Sequence, residues 1–260
     1  MKRKIAALVI LAICYITLAF TQNKNPRTVY QNEKGEGFAV IELFTSEGCS
    51  SCPPADALVA KIQREINNKP IYIMAYHVDY WDRLGWKDSF SDLKFSDRQN
   101  KYANWLNLKS VYTPQIVVNG GKEFVGSEER TLRKTISTAL SSASETSLNI
   151  ALQNQNGEEL SLVYNTNQKA IGYSLVVAAV IPNAINQVLK GENKGKTLAH
   201  VQIVEQFETI NLNNKASGTF KFNLKKLKTQ TNVELIAFLQ NQNTGKITAA
   251  TKLKGEMIHI

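Results

Sequence analysis

One local arrangement limits the folds open to this chain more than any other. The run FAVIELF at Phe38 to Phe44 leads into FTSEGCSSCPPAD, then into the periodic segment ADALVAKIQREI, and then into IYIMAYHV at Ile71 to Val78. The first and last runs are short, apolar and rich in β-branched and aromatic residues, which suits buried strands. Between them Leu58, Val59, Ile62 and Ile66 share one helical face. A strand, helix, strand unit of this length requires parallel strands with a right-handed crossover. The chain is therefore expected to build an α/β sheet, with Cys49 and Cys52 where the first strand hands over to the helix.

Downstream, DYWDRLGWKDSFSDLKFSDRQNKYANWLNL carries helical stretches, and VYTPQIVVNGGKEFVG reads as a strand at Gln115 to Val118, a hairpin turn at Asn119 to Gly121 and a short returning strand. Ser127 to Leu140 has the pattern of a closing helix. After the Ser-rich SSASETS the texture changes to short β-type runs separated by Asn, Gly, Gln and Lys: Leu148 to Leu152, Leu160 to Tyr164, Tyr173 to Ile181, Thr219 to Leu224, Val233 to Gln240 and Lys246 to Leu253. The expected fold is an α/β domain over 38–141, a central mixed sheet flanked by helices, followed by a small antiparallel β-sandwich-like domain over 148–260.

The start, MKRKIAALVILAICYITLAFTQN, is basic, then apolar from Ile5 to Phe20, then polar, in the order of a secretory signal. Residues 1–22 are read as a signal peptide and 23–37 as a linker. The apolar run is shorter than the roughly 20 residues of a membrane span, so the membrane enters only if this segment is left uncleaved as an anchor. Without Lys2, Arg3 and Lys4 the formal charge falls from +9 to +6, and the remaining cations are interleaved with acids. No basic stripe with stacking aromatics results, which argues against nucleic acid. The protein is expected to be exported, periplasmic or secreted.

Export sharpens the cysteine arithmetic. Cys14 lies inside the signal segment, so the mature chain keeps only Cys49 and Cys52. A disulfide closing so short a loop constrains little of the unfolded chain, which makes it a weak staple. A working CxxC places its first sulfur at a helix N-terminus, where free N–H groups favour the thiolate. Cys49 is then the exposed attacking sulfur and Cys52 the resolving one. Pro53 and Pro54 fit the first turn but bias the preceding residues away from helical angles, so the helix should start late or kinked. Thr113-Pro114 stands where thioredoxin-like folds carry a cis proline facing the cysteines, and its backbone would offer an edge for a substrate strand.

ELFTSEGCSSCPPAD, AYHVDYWDRLGWKD, SDRQNKYA and VYTPQIVVNG, with KGENKGKTLAH and FLQNQNTGKITAA further on, resemble the block pattern of a secreted, thioredoxin-like bacterial family long catalogued only as a domain of unknown function. The resemblance runs over roughly residues 38–253. It implies a thioredoxin fold with an appended β domain and a thiol-disulfide activity, and it supplies no substrate.

Other residues complete the expected site. Glu42, in the strand that leads to Cys49, could shuttle the proton of Cys52, although its spacing to the cysteine is one residue longer than that of the buried acid in thioredoxins; a paired, structural Glu is the alternative. His77, Asp79 and Trp81 lie with Asp82 and Trp86 at the C-terminal end of the second strand, where they either wall a substrate groove or pack the long excursion. Cys49, Cys52 and His77 would make a soft Cu(I) set, but neither wider spacing nor a further ligand supports it, so no metal and no cofactor are expected. GENKGKT at Gly191 to Thr197 has one residue too few for a phosphate loop and reads as a basic turn. The expected activity is thiol-disulfide exchange on protein or peptide thiols with an unidentified redox partner. The rivals are a copper chaperone and a scaffold with an inert disulfide.

Overall fold

The computed structural model describes residues 35–224 and 233–253. The expected signal peptide and nearly all of the linker fall outside the described residues. In chain order the elements are β1 (Ala39–Thr45), α1 (Pro53–Glu65), β2 (Ile71–His77), a 3-10 turn (Asp79–Leu84), α2 (Leu93–Trp105), β3 (Gln115–Val118), β4 (Lys122–Val125), α3 (Glu129–Ser141), β5 (Leu148–Asn156), β6 (Glu159–Thr166), β7 (Tyr173–Gln187), β8 (Thr197–Asn211), β9 (Ser217–Asn223), β10 (Glu234–Asn241) and β11 (Ile247–Lys252). The result is a mixed α/β protein with a large central mixed sheet and few helices.

β1 and β2 pair in parallel, from Ala39 opposite Ile71 to Thr45 opposite His77, as the strand, helix, strand pattern requires. β3 runs antiparallel to β1 and turns into β4 through Asn119 and Gly120, both with positive φ, the geometry that matches a hairpin's twist. Alternation along β1 divides its side chains. Ile41 and Leu43 pack against Leu58, Val59 and Ile62 of α1 and Leu132 and Ile136 of α3. Val40 and Phe44 face the other way, among Tyr76, Phe95 and Tyr102.

The expectation of a self-contained β-sandwich after residue 148 needs correcting. β8 joins β2 in parallel at Ala75 and Ile203, so the strand order β11-β10-β7-β8-β2-β1-β3-β4 makes one sheet from both halves of the chain. The physical reason is the length of β7 and β8, which pair from Ser174 opposite Asn211 to Gln187 opposite Thr197 and so bring Ile203 of β8 to the edge of β2. Among the described residues the three strands β5-β6-β9 form a second, smaller sheet. Its Ile150, Leu162 and Phe222 bury against Leu175, Val177 and Leu235 on one face of the large sheet. Among the described residues no helix is long and apolar enough to cross a membrane.

Candidate functional site

Beyond β1 the chain folds into a tight loop. Cys49 N–H donates to Ser46 O at 3.1 Å and Cys52 N–H to Cys49 O at 3.2 Å, and the two cysteines are joined as a disulfide with their Cα atoms 5.4 Å apart. α1 begins only at Pro53, with prolines at its first two positions, where the missing N–H groups have no intrahelical partner to lose. The late start follows the sequence expectation, but Cys52 does not. It adopts φ −78° and ψ −37°, helical values, because its carbonyl there accepts from both Ala55 N–H (2.9 Å) and Asp56 N–H (3.1 Å).

Thr113-Pro114 is cis and lies beside this loop. Ser51 bridges the two: its Oγ is 3.3 Å from Cys49 Sγ and donates to Thr113 O at 3.4 Å. Trp81 Nε1 donates to Thr113 Oγ1 at 2.8 Å, and Trp81 Cβ would sit 3.1 Å from a Cβ on residue 48, a tight contact that Gly48 avoids. Behind the proline, Gly126 is hemmed in by Ala55, Leu43 and Pro114. Cys49, Cys52, Thr113, Pro114 and Trp81 thus come together as the sequence suggested.

One expectation fails, and Glu42, Asp79 and His77 take the structural alternative that the sequence left open, each for an identifiable reason. Cys49 is not an exposed sulfur: both cysteines are fully buried, while only Ser50 and Ser51 reach solvent. Glu42 shares the β1 face of Val40 and Phe44, opposite α1, and is held by Arg98 Nη2 at 2.6 Å and Nε at 2.8 Å. One extra residue of spacing to the cysteine reverses the face of a strand, so Glu42 sits in an ion pair across the sheet from the helix that begins at the disulfide. Asp79 accepts from Ser96 Oγ and ties the 3-10 turn to α2 rather than walling a groove. His77 is buried, with Nδ1 2.6 Å from Asp88 Oδ2.

Sequence reasoning missed a buried polar cluster under the loop. Glu47, Asp56, Asp88 and His200 are all buried. Asp88 Oδ2 accepts from Glu47 N–H at 2.8 Å, Thr45 Oγ1 lies 3.3 Å from Asp56 Oδ2, and Trp86 Nε1 and Asn186 Nδ2 donate to the Glu47 carboxylate. His200 Nε2 is 3.5 Å from Glu47 Oε1 and its Nδ1 is 3.8 Å from Asp56 Oδ2, and its ring centre is 4.8 Å from that of His77. Burial works against charge on Asp88, but His77 beside it and the N–H groups of Glu47 and Phe90 hold its carboxyl below the usual range. Burial likewise opposes the His200 cation, and Asp56 and Glu47 override it, raising its pKa to about 10.

The turn between β7 and β8 covers this cluster. Asn193, fully buried, donates from Nδ2 to Glu47 O and to Cys49 O at 2.9 Å each, and Glu192 Oε2 accepts from Ser50 N–H at 3.0 Å. The Ser50 side chain, and after it this N–H bond, hold the Glu192 carboxyl below its usual pKa. The stretch dismissed as a basic turn is therefore the clamp over the disulfide. The available signal was KGENKGKTLAH, one of the blocks that carried the family resemblance.

His200 carries a testable pH dependence. Its folded pKa, about 10, exceeds the ordinary 6.5, so its stabilising effect is complete below about pH 6.5 and is lost as pH rises toward 10. Urea unfolding across that interval should show a fall in stability for the oxidised protein with a component that His200→Gln lacks; parallel curves for the two proteins would refute it.

A sequence profile described as "Protein of unknown function (DUF1223)" matches residues 40–240. The X-ray crystal structure of a protein from Agrobacterium tumefaciens is similar at 26% identity and a TM-score of 0.64, over 86% of this chain and 98% of that one. No curated protein matches the chain.

Proposed function

The chain belongs to the DUF1223 family, whose description assigns no activity, and from its own site we propose that it is an exported thiol-disulfide oxidoreductase acting on protein or peptide thiols. The observation that carries this reading is the disulfide between Cys49 and Cys52 at the mouth of α1, with Ser51 linking it to the Thr113-Pro114 backbone. We read the first half as thioredoxin-like on the same grounds: parallel β1 and β2 joined by α1, antiparallel β3 and β4, and α3 on the face of α1. In the reaction a substrate thiolate attacks Cys49 Sγ, the S–S bond breaks, and its electron pair leaves on Cys52 Sγ. A second thiol then displaces the substrate disulfide from Cys49. Run in this direction the steps oxidise a substrate dithiol, and run backward they reduce a substrate disulfide. The experiment that tests the reading is turnover of a model peptide disulfide by the full chain with a small dithiol as electron donor.

Burial of both cysteines favours a second reading, a scaffold whose disulfide is inert. Such a protein would give no turnover. The copper alternative has less support, since His77 is engaged by Asp88 and no group of three or more metal-ligating side chains is arranged to hold an ion among the described residues.

On the redox reading, the β7–β8 turn has to move before a substrate reaches Cys49. Asn193→Ala removes both side-chain bonds to the loop. At about 1 kcal/mol each, their loss should raise the rate at which a small dithiol reduces the disulfide by roughly 10- to 30-fold. Alkylation of the released thiols over time measures this, and an unchanged rate would remove the turn from any gating role.

A further inference from the structure

The fold brings a titratable pair from opposite halves of the chain to the base of the redox loop. Asp56 follows Cys52 by four residues and so lies one turn along α1 on the same face. His200 comes from β8 and stands between Asp56 and Glu47 at ion-pair distances. Neither ring nitrogen of His200 has a hydrogen-bond partner among the described residues, and neither does Nε2 of the neighbouring His77. Buried polar groups normally secure such partners, and leaving them without one is costly. The charges of Asp56 and Glu47 hold the imidazolium in place while its N–H groups stay uncommitted, which is the condition of a group that hands over a proton.

Opening the disulfide creates the demand. When a thiolate attacks Cys49 Sγ, the bonding pair remains on Cys52 Sγ as a second thiolate, in a fully buried residue four positions before Asp56 on α1. Desolvation and like charge both disfavour that anion. Glu42 is unable to relieve it, being across the sheet and bound to Arg98. We propose, resting on the oxidoreductase reading, that His200, oriented by Asp56 and Glu47, gives its proton to the Cys52 thiolate as the disulfide opens and takes it back as the disulfide re-forms. The step balances: the incoming thiolate, the disulfide and the imidazolium become a mixed disulfide at Cys49, a Cys52 thiol and a neutral imidazole. His200 is faced by Asp56 from α1, by Glu47 from the cysteine loop and by His77 from β2, with Asp88 behind His77.

The test is single-turnover reduction of the full-length oxidised protein by a small dithiol from pH 6 to 11, with rates expressed per attacking thiolate. Wild type should hold a plateau and fall as His200 loses its proton near pH 10. His200→Gln should be slower by about 100-fold at pH 7 and show no break. Asp56→Asn, which removes one of the two charges holding the cation, should keep the break and move it to lower pH, and it carries the test alone if His200→Gln does not fold. A folded His200→Gln protein with the wild-type profile, or an Asp56→Asn profile with its break unmoved, overturns the proposal while leaving the oxidoreductase reading intact. Absence of any wild-type turnover on a model disulfide overturns that reading, and this proposal with it.

Discussion

Cys49→Ser is expected to reduce turnover of a model disulfide to the uncatalysed level, whereas Cys52→Ser is expected to accumulate a mixed disulfide with substrate. The asymmetry follows from the surroundings of the two sulfurs. Cys49 Sγ lies beside Ser51 Oγ, which also reaches Thr113 O, so of the two sulfurs Cys49 is the one tied to the backbone on which a substrate would pair. Cys52 caps α1 and takes no part in that bridge. Without Cys49 no sulfur remains where a substrate is bound. Without Cys52 the first exchange still occurs, but no internal thiol releases the product. Mass spectrometry of the trapped adduct measures the second outcome. Full activity in Cys49→Ser, or equal trapping by either single variant, would contradict the assignment.

The second large effect concerns stability. Arg98 of α2 is buried against Glu42 of β1, lies 5.2–5.5 Å from the ring centroids of Tyr76, Tyr102, Phe207 and Phe238, and reaches Gln240 of β10 at 3.3 Å. Burial disfavours its charge, and Glu42 more than compensates, so the guanidinium stays protonated. Burial likewise pushes the phenols of Tyr76 and Tyr102 well up, which keeps them neutral around the pair. Arg98→Met should cost about 3–5 kcal/mol, because the Glu42 carboxylate is left buried without a counter-charge. The double variant Glu42→Gln with Arg98→Met should recover much of that loss, since no ion then remains unpaired. Urea unfolding gives both numbers, and a single-variant loss below about 1 kcal/mol would mean that water reaches the pair.

How much of this was legible in the sequence depended on distance along the chain. The parallel β1 and β2, the helix between them and the β3–β4 hairpin are each encoded within a few tens of residues, by apolar periodicity and by an Asn-Gly turn, and they appear where the pattern puts them. The approach of Thr113-Pro114 to the cysteine loop was readable only by likeness to thioredoxin-like folds, since Ser51 and Thr113, which make the contact, are 62 residues apart. Glu42 misled because residue type and region were right while strand parity was wrong. The clamp and His200 were hidden for a different reason. β8 does not alternate cleanly: Gln202 has a positive φ, and the β7–β8 register shifts between Ala179 and Val180. No apolar run therefore marked TLAHVQIVEQFETIN as a strand. Asn193 acts on Cys49 from 144 residues away, through contacts that exist only once β8 has joined β2.

The same long-range closure accounts for the burial of the cysteines. The second half supplies Asn193, which bonds to Cys49 O, Glu192, which bonds to Ser50 N–H, and His200, which pairs with Asp56. On this account the β-rich half is part of the proposed redox site.

The central claim is that Cys49 and Cys52 form a working redox couple, and the most direct measurement is the equilibrium of the full chain with dithiol and disulfide buffers of known potential, read by alkylation of the free thiols. The account predicts a reversible two-electron equilibrium with a potential above about −300 mV, reached from both the oxidised and the reduced side. A pair that stays oxidised below about −300 mV and turns over no model disulfide would contradict it and leave the inert scaffold.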